Sequence, residues 1–209
     1  MEAIQQLIQR AIHEEASSQH LHQALSSRID QVARVVQLPE DQPLEKLYDF
    51  VVRYIEDVPT MLDNLQSAAL EVGLLGYVQP VIRVASEFFT TPPQEMASQA
   101  GLGALMAEAY LAMRLFEEVN ETYIFKVGQP LIPMDMTLSN IIIHTLIGEP
   151  FANGLDELVE QAVEHLFTPA YQSDDFKAFM SRKETDNLVH ICRQLPCMSS
   201  QMGLASQFG

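Results

Sequence analysis

The chain has 209 residues, of which 47% are hydrophobic and 19% charged, with 9 glycines and no tryptophan. That balance excludes a disordered chain and allows one domain with a substantial core. Acidic residues number 28 against 12 Lys and Arg, a net charge of −16, and between Val127 and Phe176 eight acids stand without a single basic residue. Such a charge repels phosphate backbones and anionic lipid, so neither nucleic acid nor membrane is an expected partner; a basic protein partner or divalent cations fit better.

The opening MEAIQQLIQR has no basic stretch followed by an apolar core, so no secretory signal is expected there. No apolar run reaches the roughly 18 residues that a membrane span needs. Cys192 and Cys197 are expected as free thiols, and the expected compartment is the cytoplasm. Their C-x4-C spacing lacks the partner ligands of a zinc site.

In chain order, Ile4, Leu7, Ile8, Ala11 and Ile12, then Leu21, Leu25, Ile29, Val32 and Val36, recur at helical spacing. The polar stretch Glu14–Gln19 reads either as a break or as the exposed part of one long helix, and Leu38-Pro39 as its end. Pro43 opens a helix to Ile55, and Asp57-Val58-Pro59 reads as a boundary before a second helix that reaches Gly73–Gly76. A further helix is expected over Tyr77–Thr90, with Pro80 in its first turn, and a short turn over Gln94–Gln99 after Pro92-Pro93.

Gly101–Lys126 has strong helix formers, no proline and an almost wholly apolar first half, which is the pattern of a central helix buried on most sides. Gly128–Pro133 follows as an extended connector, and Gln129–Met136 is expected to pack over the bundle as a lid or to expose a binding patch. Asp135 is placed to cap a helix over Thr137–Ile147, and Asn153 a helix over Gly154–Phe167. Ser173 starts a last helix to about Leu195, and residues 199–209 read as a flexible tail. The fold class is therefore all-α, a single bundle-like domain of about eight helices over residues 1–198.

The sequence has no phosphate-binding glycine loop, no nucleophile elbow and no H-E-x-x-H, and no cofactor is expected. His13-Glu14-Glu15 and His20-Leu21-His22 read as solvated polar clusters; His20 and His22 point about 200° apart on a helix and cannot chelate one ion. A carboxylate-bridged metal pair needs Glu-x-x-His on two helices, and none of Glu71, Glu87, Glu108 or Glu118 is followed by such a histidine.

On a helical wheel Arg83 and Glu87, like Arg114 and Glu118, form i, i+4 pairs on outer faces, and Glu117 and Glu121 turn to that same polar side. Glu108 alone lies close to a core stripe, about 60° from its centre. A buried carboxylate must be paired, protonated or bound to something, which makes Glu108 the one candidate ligand-binding residue; no catalytic or metal-ligating residue is named. The expected function is a non-enzymatic, acidic helical interaction or regulatory protein. The alternative is a helical metal- or small-ligand-binding protein, conceivably an oxidoreductase, with Glu108 in its pocket. A homodimer through an apolar helix face fits either.

Overall fold

A computed structural model describes residues 2–96, 100–128, 130–170, 174, 177, 197–201 and 203–206. Among them the chain is all-α, with eight α-helices: α1 Glu2–Ser18, α2 His20–Val32, α3 Pro43–Val72, α4 Leu75–Thr90, α5 Gly101–Val127, α6 Thr137–Ile147, α7 Phe151–Ala170 and the short α8 Met198–Gln201. A 3-10 turn covers Gln94–Met96, within the span read as a turn. The helix expected from Ser173 to Leu195 falls largely outside the described residues.

The helix α5 is the axis of the bundle. It packs against α1, α2, α3, α4, α6 and α7. Leu102, Leu105, Ala109, Ala112, Phe116, Val119 and Tyr123 are all buried. So are Leu111, Met113 and Leu115 on its other faces, as a helix surrounded by six others requires.

The stretch Glu14–Gln19 contains a break at its end. Gln19 takes a left-handed φ of 53° between α1 and α2. Glu15 makes the break work: it is buried, and its Oε1 accepts the backbone N–H of Leu21 at 2.8 Å and of His22 at 3.2 Å. It thereby satisfies free donors at the start of α2 and places negative charge at the positive end of that helix. Glu15 is thus a structural cap where a solvated side chain was expected. His22 is also engaged, with Nε2 2.8 Å from Glu45 on α3.

Two proline boundaries fall elsewhere than the sequence suggests. The first long segment ends at Val32, before Leu38-Pro39, and Val36–Gln37 forms a two-residue strand, β1. Nor does Asp57-Val58-Pro59 separate two helices: α3 runs unbroken for 30 residues with Pro59 inside it. Proline there removes one backbone hydrogen bond and costs about 3 kcal/mol in an isolated helix. Here Val51, Tyr54, Ile55, Val58, Leu62 and Leu65 are buried on both sides of it, and burying several such side chains, each contributing about 1.5–3 kcal/mol, holds the helix across the defect. Similarly, α4 begins at Leu75, which makes Pro80 its sixth residue, beyond the first turn.

The end of α3 is a Schellman turn at Gly73, φ 74°, with Leu74 N–H donating to Ala69 O at 2.7 Å. After α5, Asn120 clamps the connector: its Oδ1 accepts Leu131 and Ile132 N–H at 2.8 and 2.9 Å, and its Nδ2 donates to Ile132 O at 3.1 Å. Ile132 and Met136 are buried, so this segment packs onto the bundle. Asp135 Oδ1 accepts the Thr137 N–H at 2.9 Å, one residue ahead of the cap position itself, which Met136 holds.

Gly148 ends α6 at φ 81°, a conformation that L side chains rarely adopt, and a Cβ there would also have to displace the Arg28 guanidinium. The next helix starts at Phe151, which puts Asn153 inside α7 rather than at its cap. Within 199–209, the span read as a tail, Leu204 is buried and Ala205–Ser206 (β2) pairs antiparallel with β1, Val36 opposite Ser206. No helix among the described residues is long and apolar enough to cross a membrane.

Candidate functional site

The polar residues of the central helix do not face outward. Tyr110, Arg114, Glu117 and Glu118 recur at i, i+4, i+7 and i+8 along α5 and so share one face. That face lies under α6 and α7. On α6, Thr137, Asn140, Ile141, His144 and Thr145 repeat at the same spacing, and α7 contributes Asp156. Together these elements line an open groove of about 330 Å³ bounded by Tyr110, Arg114, Glu117, Asn140, Ile141, His144 and Asp156.

Arg114 is the centre of the network. Its Nη1 donates to Glu117 Oε2 at 2.5 Å, its Nη2 to Glu118 Oε1 at 2.6 Å and its Nε to Asp156 Oδ1 at 3.4 Å. Burial works against its charge, but the hydrogen bond to Glu117 and the charges of Glu117 and Glu118 outweigh it and hold the guanidinium above its ordinary value. Three carboxylates therefore surround one cation whose three nitrogens are all engaged.

Glu117 is 7% exposed, and its Oε2 also accepts the Asn140 Nδ2–H at 2.6 Å. Asn140 Oδ1 in turn accepts the Tyr54 hydroxyl at 2.6 Å, which ties α3 into the network. The Tyr54 hydroxyl is pushed well up by burial, then by the nearby Tyr110 and Glu117, so it stays a donor. Tyr110 behaves alike: burial, its 2.7 Å hydrogen bond to Asp156 and the charge of that carboxylate all keep its proton on.

His144 Nε2 lies 3.3 Å from Asp156 Oδ2 and 3.1 Å from Asn153 Oδ1. Two acceptors at one nitrogen assign the ring proton to Nε2 and leave Nδ1 as the acceptor in the neutral ring. Tyr110 meets the imidazole edge-on, with ring centroids 6.0 Å apart. Thr145 gives its hydroxyl proton to Ile141 O at 2.8 Å, so its oxygen too has only lone pairs to offer. Beyond the groove, Glu121 is pushed up by partial burial and by the charges of Glu118 and Glu117, a second sign of surplus negative charge along this face.

Of the residues weighed from sequence, the Arg83–Glu87 pair forms at 3.8 Å and Arg114–Glu118 forms as spaced. Glu117 does not turn to a polar surface; it is buried against α6. Glu108 is buried at 7% exposed and makes no hydrogen bond or ion pair among the described residues. Burial alone pushes its carboxyl up to about 7. It does not line the groove, since it stands nine positions before Glu117, roughly 180° round the helix. The groove was legible in one respect only: Asn140 and His144 stand at i, i+4 on α6 and so share one face.

No cluster of three or more His, Cys, Asp or Glu side chains able to hold a metal ion occurs among the described residues. Cys197 is a free thiol; burial pushes it up, but the hydrogen bonds from Ser199 and Ser200 together outweigh that and lower it on balance. The fold and this groove define an acidic all-α bundle with a hydrogen-bonded polar network between its central helix and two neighbours. No protein-family model matches the chain, and no match is found among curated proteins or solved structures.

Proposed function

We propose that this is a non-enzymatic, acidic helical interaction protein that binds a positively charged protein partner. The observation that supports it is the surplus of carboxylates around Arg114: three against one guanidinium, at a groove open to solvent, on a chain of net charge −16. A half-buried excess of negative charge is relieved by a cation from outside. Charge of this kind steers association and sets partner choice. Titration calorimetry with a short arginine- and lysine-containing peptide tests the reading. Binding that weakens steeply as salt rises is the expected result, and no heat at low salt overturns it.

A second reading, a ligand-binding bundle with Glu108 in its pocket, draws on that buried carboxyl, which has no partner among the described residues. Elemental analysis and an absorption spectrum of the purified protein test its metal form. Stoichiometric transition metal supports it; none removes it.

A further inference from the structure

We infer that the C-terminal segment, described over 197–201 and 203–206, is a strap that opens and closes as one unit on a bundle that stays folded. The segment is closed on itself. Gln201 N–H donates to Cys197 O at 3.1 Å, Gly203 N–H to Ser200 O at 3.1 Å and Leu204 N–H to Ser199 O at 2.9 Å. With Gly203 at φ 82°, the last two bonds are a Schellman end to α8.

Its hold on the bundle is slight by comparison. Met198 N–H donates to Asp135 O at 2.9 Å, and Ala205 and Ser206 pair with Gln37 and Val36. Met198 and Leu204, each 1% exposed, are its apolar anchors. No residue from Cys197 to Ser206 is charged, so no ion pair ties the segment down. Two anchors and a two-residue ladder lie at the low end of local stability, far below a central helix such as α5. A single helical turn does not persist alone, so release of the anchors takes the internal bonds with it.

Closure also carries a penalty at its seat. The helix α8 packs on α6, at the end marked by Asp135. Ser139, in the first turn of α6, is fully buried, and its hydroxyl has no hydrogen-bond partner among the described residues. A buried hydroxyl without a partner opposes the state that buries it, and opening admits water to it. Strap and groove share an element as well. Asp135 accepts the Met198 N–H on its carbonyl and the Thr137 N–H on Oδ1, and Thr137 lines the groove. Closing the strap therefore pins the start of one groove wall, whatever the groove binds.

Native-state hydrogen exchange of the full-length protein, followed by NMR at increasing low urea, tests this. The Met198 and Leu204 amides are expected to share one protection factor, at least about a hundredfold below that of Ala109, Ala112 and Leu115 in α5, and to ignore the urea that accelerates α5. Strap amides that match α5 in protection and urea dependence overturn the inference, as do Met198 and Leu204 amides that differ more than about tenfold from each other. Leu204→Asp, which puts a charge on a buried anchor, is expected to abolish Met198 protection and leave that of α5 within about tenfold. Collapse of α5 protection in that variant shows one cooperative unit and overturns the strap. Ser139→Ala removes the unpartnered hydroxyl and is expected to raise strap protection by about threefold or more with α5 unchanged. No gain, or an equal gain in α5, overturns the assignment of Ser139 as the penalty for closure.

Discussion

Glu108 holds its proton up to about pH 7 because burial penalises the charge and nothing described compensates it. In the unfolded chain the same group titrates near 4.5. Between the two values the folded protein binds more protons than the unfolded one, so this group's contribution makes stability fall as pH rises across that window and stay low above it. Glu108→Gln is therefore expected to stabilise the fold at pH 8 by about 1–3 kcal/mol and by much less at pH 5. Differential scanning calorimetry at both values checks this, and a gain of equal size at pH 5 and pH 8 counts against a raised carboxyl. The position of Glu108 beside the core stripe was legible from helical spacing. The burial of Glu15 and Glu117 was not, because a wheel treats each helix alone, and both side chains are buried by contacts from a different element.

Among the elements, α2 shows how an end is set from outside the helix. Its first donors are met by Glu15 of α1, six and seven residues earlier in the chain. Glu15→Ala is expected to cost about 1–2 kcal/mol, as loss of a helix cap does, and Glu14→Ala, at an exposed position on the same turn, less than about 0.5 kcal/mol. Urea denaturation of the two variants measures the contrast; equal costs show that the cap is not what matters. The same scale explains the proline misreadings. Pro59 is a strong local stop signal, yet α3 crosses it, because the apolar stripe on both sides continues in phase and stays buried. Gly73, Gly128 and Gly148 end their helices where expected, since a left-handed or otherwise positive φ is a local requirement that a wider context seldom alters.

At the scale of the whole molecule, −16 charges on 209 residues repel one another in the compact state more than in the expanded one. Sodium chloride at 0.5 M cuts the screening length from about 10 Å at 0.1 M to under half that. The urea midpoint is accordingly expected to rise between 10 mM and 0.5 M salt at pH 8, and a midpoint that falls shows that attractive pairs such as Arg114 with its carboxylates outweigh the repulsion. The surplus is also organised, since the acids of α5 and α7 converge on one side of the axis.

The amino-acid sequence by itself determined the helical class, the bounds of α5 and α6, the turn glycines and the sign of the charge, since each follows from spacing or composition within a single stretch of chain. Only the tertiary structure decided which polar residues are buried, and with whom. Tyr54, Tyr110, Arg114, Glu117, Asn140, His144 and Asp156 come from four helices spread over about half the chain. Their hydrogen bonds join residues up to 86 positions apart. No local pattern encodes such pairings, because they depend on how helices pack and not on how each one forms.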